Sequence, residues 1–149
     1  MALYELEMLT SERVQELWGD IRPLVKESFE SNEVGAMFSN PDDVLALAVT
    51  DMCAIFGGFY DKQLATVLVL QFNEQSGRKG ADILAMGGSR LTEFKRNYWE
   101  LILDWLKAND IQYLDAYANE RIARIYKHKY GFTKSCVRVR MPLQEQQNG

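Results

Sequence analysis

Ala118-Asn119-Glu120-Arg121-Ile122-Ala123-Arg124-Ile125-Tyr126, followed by Gly131-Phe132, is the stretch that decides how the rest of the chain is read. Asn119–Tyr130 reads as a helix, with Gly131-Phe132 as its stop and turn. Immediately before it, Ile111–Ala118 reads as a strand. Immediately after it, Thr133–Met141 reads as a final strand, in which Val137, Val139 and Met141 alternate with Arg138 and Arg140. Further upstream, Leu91, Phe94, Tyr98, Leu101, Ile102, Trp105 and Leu106 mark one face of a helix that ends near Asn109-Asp110.

The first half has a different grammar. Tyr4, Leu6 and Met8 alternate with Glu5 and Glu7, which predicts a strand with one wet face. Thr10 and Ser11 are N-cap candidates for a helix through Val14, Leu17, Trp18, Ile21, Leu24 and Val25, which Pro23 should bend or restart. Asn40-Pro41-Asp42-Asp43 is a helix start. Cys53–Tyr60, Gln63–Phe72 and Ala81–Met86 then read as three strands of an antiparallel meander. Asp61-Lys62 is the first turn and Asn73–Gly80 a loop. The run Ala65–Leu70 is continuous enough to be buried on both faces. The predicted order is β-α-α-β-β-β-α-β-α-β: an α/β (mixed α+β) fold with a central mixed sheet flanked by helices. We expect a single domain over residues 1–143 and a polar tail over 144–149.

That order, with the 118–132 stretch at its end, resembles the GNAT acyltransferase fold. The signature shared with the family is an Asn after the fifth strand, an apolar helix with a Tyr near its end, then Gly-Phe. Tyr98–Ile111 is similar to the helix and turn that precede that strand. The match covers residues 81–141; residues 1–80 agree in element order. The resemblance implies an acetyl-CoA-dependent N-acyltransferase in which an acceptor amine attacks the thioester directly. It makes Tyr126 a candidate general acid for the leaving thiolate, against its alternative as a core tyrosine. It also carries Asn119 over as a candidate cofactor contact.

In that family the helix after the fourth strand opens on a loop of the type Arg/Gln-x-x-Gly-x-Gly/Ala. Its glycines let backbone N–H groups approach a pyrophosphate. Here the loop falls on Arg90-Leu91-Thr92-Glu93-Phe94-Lys95, so Arg90 matches and the glycine positions hold Glu93 and Lys95. The expectation is acetyl-CoA chemistry that is weak, non-standard or lost. Gly87-Gly88-Ser89, just upstream, is either a turn or a small anion nest. Asp115, sharing a strand face with Ile111, Tyr113 and Tyr117, is a candidate general base with a raised pKa if buried. His128 lies in a Lys-His-Lys run and reads as solvated. No metal, Walker or Ser-His-Asp pattern is present.

The 149 residues are 47% hydrophobic and 26% charged, which suits a globular domain. No apolar run is long enough for a membrane span, and Cys53 and Cys136 suggest no disulfide framework. With no signal peptide visible, a cytoplasmic location is expected. Residues 1–120 hold 10 basic and 20 acidic residues, net −10, whereas residues 121–143 hold seven basic residues and no acid. That basic segment either packs beside the acidic remainder or forms a site for a protein or nucleic-acid partner. The latter fits a second resemblance. Phe94-Lys95-Arg96 is similar to the helix start of small degenerate GNAT-like proteins of short-tailed phages, some of them virion components. It implies a non-catalytic scaffold in the host cytoplasm or the virion.

Overall fold

The computed structural model describes residues 3–32 and 38–144; the tail from 145 onward lies outside them. The order is β1 (Tyr4–Leu9), α1 (Ser11–Ser31), α2 (Asp42–Val49), β2 (Cys53–Tyr60), β3 (Gln63–Gln75), β4 (Arg78–Gly88), α3 (Leu91–Ala108), β5 (Tyr113–Ala116) and α4 (Glu120–Tyr130). The five strands lie in sequence order in one sheet. β1 to β4 are antiparallel, and β5 joins β4 in parallel.

The doubly buried run in β3 explains the layering. Val67 and Val69 face α1 and α2, where they meet Val14, Ile21, Val25, Phe29 and Val44. Leu68 and Leu70 face the other way, onto Phe94, Trp99, Ile102, Leu106 and Tyr126 of α3 and α4. Each large side chain buried in this way contributes about 1.5–3 kcal/mol. Both helical layers therefore need the sheet between them. No helix among the described residues is long and apolar enough to cross a membrane.

Several sequence expectations change. α1 does not restart at Pro23 but runs through it as one helix. The burial of Ile21, Val25 and Phe29 on the sheet holds it across the missing N–H. The expected loop 73–80 is instead the end of a hairpin. β3 and β4 stay paired to Gln75 and Arg78, and only Ser76-Gly77 turns, with φ of 51° and 75°, the left-handed pair that suits a tight hairpin. Met8 is exposed and Leu9 buried, so the alternation of β1 slips at its end. β5 shortens to four residues. The final strand expected over Thr133–Met141 does not pair with the sheet: the segment is irregular and exposed throughout. Its alternation signals two faces but does not name a neighbour.

Candidate active site

The site begins where the sheet stops being regular. β4 and β5 are paired only from Gly80↔Tyr113 to Ile83↔Ala116. Beyond that point β4 continues to Gly88, whereas β5 ends at Ala116 and the chain turns into α4. The register of β3 against β4 slips at the same level. Val69 faces Ala85 and Leu70 faces Ile83, so Leu84 is the extra residue of a bulge, which bends its strand. A cavity of about 50 Å³ lies in the resulting splay. It is lined by Ile83 to Met86 on β4, by Tyr117, Ile122 and Tyr126, and by Ser28, Ser31 and Asn32 of α1. That is room for a narrow group or a few waters.

The end of α1 ties the two sides of this cleft together. The Ser28 hydroxyl accepts from the Met86 N–H at 3.1 Å. Asn32 donates to the Tyr117 carbonyl at 2.7 Å and accepts from the Asn119 N–H at 2.7 Å. The Ser31 carbonyl, an orphan acceptor at a helix C-terminus, takes bonds from Asn119 at 3.2 Å and Arg121 at 3.1 Å. Asn119 also caps α4, its Oδ1 accepting from the Ile122 N–H at 2.9 Å. Its side chain is thus engaged with protein groups at both ends.

Tyr126 belongs at once to the α3–α4 core and to the cleft lining, only 8% exposed. Burial, with Tyr130 beside it, pushes its phenol well above the usual tyrosine range, so it is protonated at all ordinary pH. Among the described residues no protein group bonds to its hydroxyl, and no buried side-chain polar atom is left both sealed and unbonded. The hydroxyl is therefore not sealed inside the core, and Tyr126 is among the residues that line the cleft.

Asp115 is exposed on β5. Its partner in register is Asp82 of β4, which sequence reasoning missed. Asp82 is 8% exposed and accepts a 2.7 Å bond from Asn73, itself held by the Tyr113 hydroxyl. Burial raises the Asp82 carboxyl above the ordinary range, Asn73 opposes this, and the Asp115 charge adds to it. The phenol of Tyr117, in the cleft wall, is raised by burial and by both carboxylates. The carboxylate pair thus stands at the foot of the splay, next to a cleft residue. The signal was a lone acid inside the apolar run Ala81–Met86.

The junction before α3 is tightly packed. A Cβ on Gly87 would lie 2.7 Å from the Leu24 carbonyl oxygen of α1. One on Gly88, at φ +115°, would lie 2.1 Å from that of Ala65. The Ser89 N–H is bonded to the Ala65 carbonyl. Arg90, at φ 63°, makes no side-chain cap for α3. Its guanidinium stacks 4.0 Å over the Tyr60 ring and lies 3.8 Å from Glu93. Glu93 is thereby drawn toward the β1–β2 side, while Lys95 leans the other way, over Tyr130 of α4. Phe94 is fully buried against Gly58. None of Leu91, Glu93, Phe94 or Lys95 lines the cleft.

Cys53 is half-buried, its thiol pushed up to about 11 by burial, and Cys136 is exposed; both are free. His128 is exposed on α4.

No family model matches the sequence, and no curated protein matches it. Solved structures do match. The chain has the GNAT fold. Ribosomal-protein-alanine N-acetyltransferase from Brucella melitensis biovar Abortus 2308 aligns at 11% identity over 97% of this chain and 100% of that one, with a TM-score of 0.63. A predicted acetyltransferase from Clostridium acetobutylicum, with acetyl-CoA, aligns at 13% identity over 96% and 97%, with a TM-score of 0.66. An aminoglycoside acetyltransferase from an uncultured soil metagenomic sample, in complex with sisomicin, aligns at 14% identity over 95% and 97%, with a TM-score of 0.64. Identities this low carry the fold and not the substrate.

Proposed function

We propose that this protein is an acetyl-CoA-dependent N-acyltransferase whose pyrophosphate seat is non-standard, with reduced affinity for the cofactor. The supporting observation is the splay of β4 from β5 at the Leu84 bulge, with Tyr126 among the residues that line it. Acetyl-CoA supplies an activated acetyl thioester. The residues present suit it. The cavity of about 50 Å³ has room for a narrow group such as the acetyl end of the thioester, and α3 offers N–H groups with no side-chain cap at its positive end. Lys95 and the exposed Arg124, Lys127 and Lys129 of α4 supply the positive charge that glycine-mediated backbone contacts would otherwise supplement. Bulk at Leu91 and the Glu93 charge at the same helix end weaken the seat without blocking it. The Asp82–Asp115 pair takes the proton of the acceptor ammonium. Tyr126 holds a proton at its hydroxyl for the departing thiolate. A cytoplasmic location goes with this activity.

Calorimetric titration with acetyl-CoA and with CoA tests the proposal. A dissociation constant of about 100 µM to 1 mM, roughly −5.5 to −4.1 kcal/mol, is expected. Absence of binding at several times the upper concentration overturns it.

Glu93 at the family's glycine position favours one alternative: a scaffold without catalysis that uses the basic face of α4 for a protein or nucleic-acid partner, as in a phage virion component. DNA binding that is tight at low salt and lost at high salt, with no response to CoA, would favour that reading.

A further inference from the structure

We propose that Ser28 is a hydrogen-bond donor of the cleft, its hydroxyl proton serving the carbonyl oxygen of the acyl thioester; this rests on the cleft being an acyl-CoA site. The pairing of β3 with β4 decides which groups of β4 face the splay. The Ser89 N–H bonds to the Ala65 carbonyl, and successive pairs of an antiparallel ladder alternate between bonded and non-bonded. Counting back from Ser89, Gly87 turns its N–H to β3, and Met86, opposite Leu68, turns its own away. A longer β5 would take that group, but its pairing stops at Ile83↔Ala116. Ser28 takes it instead, its Oγ accepting from the Met86 N–H at 3.1 Å. So short a side chain reaches because α1 lies close to β4 at Gly87. A Cβ on Gly87 would stand 3.3 Å from the Ser28 Cβ and 2.7 Å from the Leu24 carbonyl oxygen.

That bond uses the serine as an acceptor only. A serine hydroxyl also has one proton to give, and among the described residues no group accepts it. Ser31, on the next turn of α1, differs: its hydroxyl donates to the Glu27 carbonyl. Ser28 and Met86 both line the cavity, so the bond between them lies at its wall. Accepting from an N–H polarises a hydroxyl and makes it a better donor. The thioester carbonyl oxygen is an acceptor that suits it. In the transfer, the acceptor nitrogen bonds to the carbonyl carbon and the C=O pair moves onto the oxygen. The pair returns as the C–S bond breaks. The nitrogen's proton goes to the Asp82–Asp115 pair, and the thiolate takes one from Tyr126. A donor fixed at that oxygen acts most strongly while the oxygen carries charge. The Met86 N–H thus acts through Ser28 and not on the ligand itself.

Infrared difference spectra of the full chain with acetyl-CoA isotopically labelled at the acetyl carbonyl test this, beside NMR titrations with acetyl-CoA and with CoA, which lacks that carbonyl. The carbonyl band should move to lower wavenumber on binding to the wild type and return toward its free position in Ser28→Ala. S28A should bind acetyl-CoA about three- to tenfold more weakly and CoA within about twofold of the wild type. An unshifted band in the wild type overturns the assignment whatever the variant does. So does a band that stays shifted in S28A, which would make the Met86 N–H the donor. Equal loss of both ligands in S28A also overturns it, since Ser28 would then only support β4. A wild type that binds neither ligand fails one step earlier: the cleft is then no CoA site, and the role of Ser28 falls with it.

Discussion

Tyr126 lines the cleft and Asp82 lies beside its wall residue Tyr117, and each is tested by a single atom. Tyr126→Phe removes a hydroxyl that no described protein group bonds, so stability should stay within about 0.5 kcal/mol. kcat should fall about a hundredfold or more if the hydroxyl delivers the proton. Steady-state kinetics with a thermal melt as control decides this; an unchanged kcat makes Tyr126 a core residue. Asp82 has a raised folded pKa, so the native state holds its proton to higher pH than the unfolded chain, whose carboxyl titrates near about 3.9. Its burial therefore costs nothing below that value and costs increasingly as pH rises through the folded pKa. Asp82→Asn, which keeps an oxygen for Asn73, should raise the melting temperature at neutral pH, with a gain that vanishes below about pH 4. It should also abolish the acid limb of the kcat/KM profile. A carboxylate with only a structural role would move stability and leave that limb in place. Asp82 was hard to read in advance because its burial comes from β3 and β5 packed on either side, not from its own strand.

At the level of elements, the end of α1 and the start of α3 govern the cleft from its two ends. Asn32 bonds two backbone groups of the β5–α4 junction, at sequence separations of 85 and 87. Asn32→Ala should cost about 1–3 kcal/mol and speed amide exchange from Tyr117 to Ile122; exchange confined to α1 would show that the clasp does not hold β5. No local pattern announces such a contact: the helical spacing of α1 is legible, but nothing near Asn32 in the sequence points to residues 117–119. The opposite holds for α4. An Asn cap, an acid in the first turn and a terminal Gly at φ 79° are all local, and that helix was legible residue by residue. At α3, Glu93 stabilises the helix start by about 0.3–1 kcal/mol while repelling an anion placed there. Glu93→Gln should lower stability by that amount and tighten CoA binding about two- to fivefold by calorimetry. Unchanged affinity would mean that the anion does not sit at this helix end.

Across the whole molecule, the alternation of strand and helix signals was enough for the fold, because each helix buries its stripe on a sheet whose central strand is apolar on both faces. The last strand was misread for a related reason. The two-faced pattern of Val137, Val139 and Met141 is real, but period two does not say which edge will take it, and β5 offers only four residues. The charge asymmetry, acidic before residue 120 and basic after it, is likewise real and maps to exposed side chains on α4. The central claim is that the splay between β4 and β5 receives an acyl-CoA. The most direct test is an amide-resolved NMR titration of the full chain with CoA. Shifts are expected at Leu84–Met86, at the first turn of α3 and at Ile122 and Tyr126, saturating together. Shifts absent from these positions, or confined to the basic surface of α4, would contradict it.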